Sequence, residues 1–355
     1  MSRTRDDLRV LQALPLSLKI RMTERRIFEW VEKFGEDGVY LSWSGGKDST
    51  VLRHIIRQHY PSIESVFVNT GLEYPEIQRF VKSAKDRGEP VTILRPEMRF
   101  DEVIKKYGYP IISKEVSECV GQGRIALARN DGTYTYRLKR LYGMYEGGNS
   151  MYSDLSKYKP LLDVDFKISS QCCRVMKKTP AKQYAKKEEK LPITAQMASE
   201  SRLRQQHWIQ NGCNGFNMKS PISNPMSFWT EQDVLEYIQT YNVEIPSVYG
   251  DIVYKYEPDQ MRLDEFTGEN IGCDTLCTTG CDRTGCIFCG FGAHLEKGES
   301  RFQRLKRTHP RQYDYCIGGG EYNEDGIWQP NKDGLGMGHV FDTLNRIYGD
   351  GFIKY

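Results

Sequence analysis

The string Ser44-Gly45-Gly46-Lys47-Asp48-Ser49-Thr50 joins a short apolar run to a helical pattern, and that junction limits the fold more than any other feature of the chain. Ahead of it, Val39-Tyr40-Leu41-Ser42-Trp43 has the length and composition of a buried strand. Behind it, Val51, Leu52, Ile55 and Ile56 recur at helical spacing from Asp48 to His59. The alternation continues with strands at Ser65–Asn69 and Val91–Leu94 around a helix at Tyr74–Asp86, and an amphipathic helix from Ser17 to Phe34 precedes it. A further strand at Leu191–Ala195 and a helix at Thr230–Thr240 follow. This pattern predicts an α/β protein with a parallel twisted sheet wound by helices, whose ligands bind at the carboxyl ends of the strands.

Residues 1–248 form the α/β domain in this reading, with residues 107–159 as an excursion rich in Gly, Tyr, Lys and Arg. Residues 249–355 form a smaller, irregular, Cys-rich C-terminal module: 249–284 lacks periodicity, 301–315 reads as a basic helical segment, and a Gly-rich tail follows. Fifty Lys and Arg against 47 Asp and Glu leave a net charge of +3, so any polyanion site must be local. The charged start Met1-Ser2-Arg3-Thr4-Arg5-Asp6-Asp7 and the lack of an apolar run of about 18 residues point to a cytoplasmic chain with no membrane partner. In a reducing compartment ten cysteines, five of them between Cys273 and Cys289, point to metal binding or catalysis rather than disulfides.

At the start of a helix, outward-facing amides and the positive end of the helix dipole form an anion site. Paired glycines let the backbone curl and present successive N–H groups, and Ser44, Ser49 and Thr50 add hydroxyls. The spacing differs from a Walker A loop, where the Lys-Ser/Thr pair follows a second glycine separated from the first by four residues.

The string Ser-Gly-Gly-Lys-Asp-Ser resembles the PP-loop of ATP pyrophosphatases, and further motifs resemble the PAPS reductase (phosphoadenosine phosphosulfate reductase) family of that superfamily. Asn69-Thr70-Gly71-Leu72-Glu73-Tyr74-Pro75-Glu76 is similar to its Asp-Thr-Gly segment, with Asn in place of Asp. Ala198-Ser199-Glu200-Ser201-Arg202-Leu203-Arg204 resembles its Glu-Ser-x-x-Arg element, although Ala195 and Met197 stand where Gly and Arg are usual. Pro225, Trp229, Asp233, Val234, Tyr237 and Pro246 fit the pattern that follows. The resemblance covers roughly 17–295 and implies an adenine nucleotide α-hydrolase-like fold. It places ATP, or PAPS or APS, with its phosphates on Ser44, Gly45, Gly46, Lys47, Asp48 and Ser49 and its adenosine near Asn69, Thr70 and Gly71. Lys47, Asp48, Arg202 and Arg204 become the candidate catalytic residues, since an arginine can clamp phosphate or sulfate through two parallel hydrogen bonds.

Lys167-Ile168-Ser169-Ser170-Gln171-Cys172-Cys173-Arg174 resembles the paired-cysteine segment of sulfonucleotide reductases, and Cys286-Ile287-Phe288-Cys289 resembles its partner pair. Four thiolates can hold tetrahedral zinc or an iron–sulfur cluster. Adjacent cysteines make a poor zinc knuckle, and the resemblance implies a [4Fe-4S] cluster on Cys172, Cys173, Cys286 and Cys289. Cys273, Cys277 and Cys281 leave open a local set with Cys286 and Cys289. Arg301, Arg304, Lys306, Arg307, His309 and Arg311, with Phe302 and Tyr313 among them, read either as a solvated helix face or as a nucleic-acid contact across Arg301–Arg311.

The family's reductases attack sulfur with a cysteine in a C-terminal Glu-Cys-Gly segment. Residues 318–355 contain no cysteine, and Asp314-Tyr315-Cys316-Ile317-Gly318 lacks that context. With the intact Lys47-Asp48 pair, this favours an ATP pyrophosphatase that uses Mg2+ to adenylate a substrate for sulfur transfer. The resemblance is then to the DndC-like branch, which helps install phosphorothioate in DNA, with a cysteine desulfurase or thioredoxin-type protein as sulfur donor. Two further readings are reduction of PAPS or APS to sulfite, with Cys316 as nucleophile, and a nucleotide- and cluster-dependent nucleic-acid-binding protein.

Overall fold

A computed structural model describes residues 3–129, 132, 135–144, 154–263 and 270–355, with the backbone alone for 256–263 and 270–274. Two compact units interleave along the chain. One gathers Met1–Asn69, Glu73–Leu94 and Ala181–Thr284; the other gathers Thr70–Leu72, Arg95–Pro180 and Gly285–Tyr355.

The first unit is built on a six-stranded sheet whose spatial order is 91–94, 65–68, 39–42, 191–193, 222–223 and 214–215. All its pairings are parallel except the last, between Asn214–Gly215 and Ile222–Ser223. Val39, Tyr40 and Leu41 are buried, as expected of a central parallel strand with both faces covered. From Val39–Ser42 the chain moves outward to one side through Ser65–Val68 and Val91–Leu94, then returns to pair Leu191–Ile193 on the other. The order reverses at Val39–Ser42, so the loop after that strand lies at the topological switch point, where open α/β sheets form their ligand crevice. The flanking helices fall where the periodicity places them: Leu16–Phe34, Lys47–His59, Pro75–Asp86 and Glu231–Tyr241.

The described parts of 249–284 are not irregular. Ile252–Leu263 and Asn270–Thr278 pair as antiparallel strands, with a register irregularity between Glu257 and Met261. That irregularity shifts the alternation partway along, which hides the strands from a period-two reading.

The second unit is mainly helical. The excursion near 107–159 contains helices at Lys114–Ala128 and Tyr136–Leu141. Gly121 and Gly123 disguise the first, and Gly123 permits close approach: a Cβ there would lie 3.2 to 3.5 Å from side-chain carbons of Leu141, Leu162 and Leu138. The basic segment is two helices, Arg301–Thr308 and Pro310–Ile317, because Pro310 cannot continue the first and instead begins the second. The Gly-rich tail carries a helix, Met337–Tyr348, that buries Met337, Val340, Phe341 and Leu344. Among the described residues no helix is long and apolar enough to cross a membrane.

One buried ion pair ties the helices of the first unit together. Lys19 is 2% exposed and its Nζ donates to both oxygens of Asp233 at 2.7 Å and to the Gln12 carbonyl at 2.6 Å. Asp233 also accepts the Thr230 N–H at 2.6 Å and so caps the helix Glu231–Tyr241. Removing one partner strands a buried charge, so Lys19→Met should lower unfolding free energy by about 3–5 kcal/mol in urea denaturation. Arg25→Ala, which breaks the exposed pair with Glu29, should change it by less than about 0.5 kcal/mol.

Candidate functional site

The loop after the central strand is anchored on both sides. Trp43 donates its N–H to the Val66 carbonyl at 2.9 Å and its Nε1–H to Thr50 Oγ1 at 3.1 Å, while the Arg53 guanidinium lies 4.4 Å from its ring centre. The chain must turn between these anchors within a few residues. Gly45 adopts φ +72°, and a Cβ there would fall 2.7 Å from Ile77 Cγ2, so the turn has no room for a side chain. Ser49 Oγ accepts the Ser44 N–H at 3.2 Å, donates to the Gly46 carbonyl at 3.0 Å, and lies 3.0 Å from Ser44 Oγ. The structure thus brings Ser44, Gly45, Gly46, Lys47, Asp48 and Ser49 into one curled turn at a helix start.

Beside the turn is a cavity of about 220 Å3 lined by Lys47, Asp48, Met197, Ser199, Glu200, Glu231 and Arg283. Lys47 is buried; its Nζ donates to the Asp282 carbonyl at 2.6 Å and lies 2.9 Å from Glu231 Oε1 and 3.8 Å from Asp48 Oδ1. Burial opposes the ammonium, but Asp48 and Glu231 outweigh it, and its pKa lies above the usual value. At Asp48 burial wins over Lys47 and Arg283, and the carboxyl pKa is raised. Asp48 Oδ1 is enclosed and has no hydrogen-bond partner. Glu200 pairs with both Arg204 and Arg283, and burial followed by the nearby Arg283 charge lowers the Arg204 pKa. Arg202 is exposed at the first position of the helix Arg202–Asn211 and does not line the cavity.

Glu231, Arg283, Tyr249 and Thr284 were not singled out by the sequence. They sit 187 to 240 residues from the loop start with no motif of their own, although Glu231 directly follows Trp229-Thr230 in a recognisable segment. Asn69-Thr70-Gly71 divides between the units. Asn69 belongs to the first and donates its N–H to the Leu94 carbonyl at 2.8 Å. Thr70 and Gly71 belong to the second, where Thr70 Oγ1 accepts the Leu72 N–H at 3.2 Å.

The second unit holds the cysteine pairs. Arg124 donates to the carbonyls of Leu161, Leu162, Val164 and Phe166 at 2.5 to 3.0 Å and so fixes the approach to Cys172-Cys173. The turn Arg174–Lys178 is wound wide, as a π-type turn, a form that concentrates at functional sites. Cys172 donates to the Cys173 sulfur at 4.0 Å. That bond, aided by Lys114, Lys177 and Lys178 against the effect of burial, pulls Cys173 down to about 6 and pushes Cys172 up. Cys286 and Cys289 lie within electrostatic range of Cys172. The Cys289 N–H closes a turn onto the Cys286 carbonyl at 3.1 Å, and the Ile287 N–H reaches the Leu72 carbonyl at 2.8 Å. Ile112, paired with Phe291 two residues past Cys289, holds φ at 61°, a strained value for a β-branched residue.

Cys172, Cys173, Cys286 and Cys289 therefore gather in one unit. Cys277 and Cys281 belong to the other, and the side chain of Cys273 lies outside the described residues. Among the described residues no cysteine is in a disulfide, and no three His, Cys, Asp or Glu side chains converge closely enough to hold a single metal ion. Cys316 is fully buried, its thiol 3.6 Å from Met337 Sδ, and burial pushes its pKa up. An enclosed thiol of that kind is a poor nucleophile.

Much of the charge in the basic segment is already matched. Arg301 Nε lies 2.6 Å from Glu296 and its Nη1 donates to the Cys289 carbonyl at 3.0 Å. Arg304 and Arg307 both approach Glu299, and Lys306 Nζ lies 5.1 Å from the Tyr313 ring centre.

The family model described as "Phosphoadenosine phosphosulfate reductase domain" matches residues 38–121 and 137–290. An adenosine 5'-phosphosulfate reductase of Bacillus cereus is 28% identical over 95 residues, which are 26% of this chain and 41% of that protein. A phosphoadenosine 5'-phosphosulfate reductase of Xylella fastidiosa is 32% identical over 77 residues, 22% of this chain and 32% of that protein. The chain thus spans well under half the length of either relative. Among solved structures, a phosphoadenylyl-sulfate reductase from Candida auris, in a phosphate complex, aligns over 70% of this chain and 91% of its own, with 16% identity and a TM-score of 0.37. An NH3-dependent NAD synthetase from Campylobacter jejuni aligns over 65% and 75%, with 11% identity and a TM-score of 0.32.

The raised pKa of Asp48 gives a stability test. Between the unfolded carboxyl value and the higher folded one, ionisation penalises the folded state, and above both the penalty is complete. Asp48→Asn removes the charge, so at pH 7 it should raise the melting temperature. The gain should vanish near pH 3, where the wild-type carboxyl is protonated in both states.

Proposed function

We propose that this chain, which belongs to the phosphoadenosine phosphosulfate reductase domain family, is an enzyme that binds an adenine nucleotide through its phosphates on Ser44–Ser49 and cleaves it at the α-phosphate for sulfur transfer. The observation that carries this reading is Lys47: a buried ammonium at a helix start, between paired serine hydroxyls and a cavity edged by Asp48 and Glu231. A substrate oxygen attacks the α-phosphorus and the bond to the bridging oxygen breaks. Pyrophosphate leaves toward the Ser44 and Ser49 hydroxyls and the loop amides, with Lys47 offsetting the developing charge. A sulfur nucleophile then displaces AMP from the adenylated substrate. In the DndC-like version of this reading the substrate is a nucleic-acid phosphate and the sulfur comes from a cysteine desulfurase or thioredoxin-type protein.

Asp48 Oδ1, enclosed and without a hydrogen bond, supports a place for Mg2+ beside the phosphates, with Asp48 and Glu231 to hold it. The ion would supply charge neutralisation on the phosphate oxygens. Cys172, Cys173, Cys286 and Cys289 would hold the [4Fe-4S] cluster. The thiols of Cys173, Cys286 and Cys289 all lie within electrostatic range of Cys172, and a [4Fe-4S] cluster takes one thiolate on each iron. Bound there, it would supply one-electron chemistry, while Lys114, Lys177 and Lys178 offset the thiolate charge.

A second reading, reduction of a sulfonucleotide to sulfite, is favoured by what the relatives' names say of those proteins. With Cys316 enclosed, the attacking thiolate would then come from a partner of thioredoxin type.

The test is release of pyrophosphate from ATP with Mg2+, in the presence of a thiol donor and DNA, against release of sulfite from APS or PAPS. Pyrophosphate that falls about 10²–10³-fold in Lys47→Ala supports the first reading. Sulfite without pyrophosphate selects the second, and neither product removes both. After anaerobic purification, Cys289→Ala should lose most of its bound iron and sulfide, whereas Cys277→Ala should keep both.

A further inference from the structure

The first amide of the helix Lys47–His59 already has a partner. The Lys47 N–H donates to Tyr249 Oη at 3.0 Å, and Tyr249 Oη lies 2.6 Å from Thr284 Oγ1. Tyr249 is 1% exposed, with its ring centre 5.6 Å from Lys47 Nζ. Both hydroxyls stand directly over the glycine turn. A Cβ on Gly46 would fall 3.2 Å from Tyr249 Oη and 3.4 Å from Thr284 Oγ1. A helix-start amide of this kind is where an anionic oxygen binds most favourably. Burial raises the Tyr249 pKa, so the phenol stays neutral at pH 7 and offers the amide an oxygen lone pair.

We propose that Tyr249, oriented by Thr284, is an intramolecular competitor for the phosphate loop: its hydroxyl occupies the Lys47 amide that a pyrophosphate oxygen would take, and so sets the affinity of the loop for pyrophosphate-bearing ligands. The inference rests on the phosphate-loop reading above and adds which residue selects among its ligands. A pyrophosphate group reaching past the serine hydroxyls must exchange with the phenol. A single phosphate or sulfate held by Ser44 and Ser49 need not. After cleavage, the returning hydroxyl competes with retained pyrophosphate and favours its release.

Calorimetric titration of the full chain with inorganic pyrophosphate and, separately, with inorganic phosphate tests this. Tyr249→Phe keeps the ring and removes the oxygen, so pyrophosphate should bind about 3- to 10-fold tighter, the range expected for one freed hydrogen-bond donor. Phosphate affinity should change less than about 2-fold. Thr284→Val, which releases the phenol from its partner, should shift pyrophosphate in the same direction by a smaller factor, and it carries the test if Tyr249→Phe fails to fold by circular dichroism. Unchanged or weaker pyrophosphate binding in the folded variants overturns the proposal, weaker binding by making Tyr249 a direct contact to the ligand. Serine-to-alanine changes at 44 and 49 separate the two levels. Wild-type binding that does not depend on these serines removes the loop reading itself, whereas serine-dependent binding with no gain in either variant removes only the role of Tyr249.

Discussion

A buried ammonium needs oxygens around it, and the first unit is arranged to supply them to Lys47. The Asp282 carbonyl, Glu231 and Asp48 converge on it from three separate stretches of chain. Its position is not adjustable, since Lys47 opens a helix that is itself fastened to the central strand through Trp43 and Thr50. The partners must therefore be carried to the lysine. Glu231 arrives on a helix whose start is capped by Asp233, and Asp233 is held in turn by Lys19. A second charge pair, Lys19–Asp233, thus holds the helix that brings Glu231 to Lys47.

That arrangement leaves Asp48 poorly served. It lies next to the lysine yet keeps an enclosed oxygen with no hydrogen bond, and burial outweighs the neighbouring cations. Unsatisfied polar groups of this kind persist where the fold holds them in place for another purpose. The second unit shows the same feature in a different form: Ile112 keeps a left-handed backbone beside the Cys286–Cys289 turn, locked by the strand pairing with Gly290 and Phe291. In both units the locally unfavourable residue lies next to the candidate chemistry.

The parts of the molecule that were legible in its sequence are local ones. The strand–turn–helix at Val39–His59 could be read because apolar runs, glycines and helical spacing fall within about twenty residues of one another. The two cysteine pairs stood out by their resemblance to those of the sulfonucleotide reductases, and all four lie in one unit. Tyr249, Thr284 and Arg283 could not be read, because a hydroxyl or guanidinium brought in by tertiary folding leaves no periodic trace. The helices at Lys114–Ala128 and Met337–Tyr348 were missed where glycines interrupt the pattern, although at Gly123 the missing side chain is what admits three leucines. The antiparallel strands Ile252–Leu263 and Asn270–Thr278 were missed because their register slips partway along.

The division of the chain carries a consequence for inheritance. The unit that holds the cysteine pairs is assembled from Thr70–Leu72, Arg95–Pro180 and Gly285–Tyr355, so no single cut releases it and no single splice delivers it elsewhere. Gene fusion and domain shuffling move contiguous stretches. A host that acquired only the final seventy-odd residues would receive Cys286 and Cys289 without Cys172 and Cys173, and without the Ile111–Ile112 strand against which the turn is pinned.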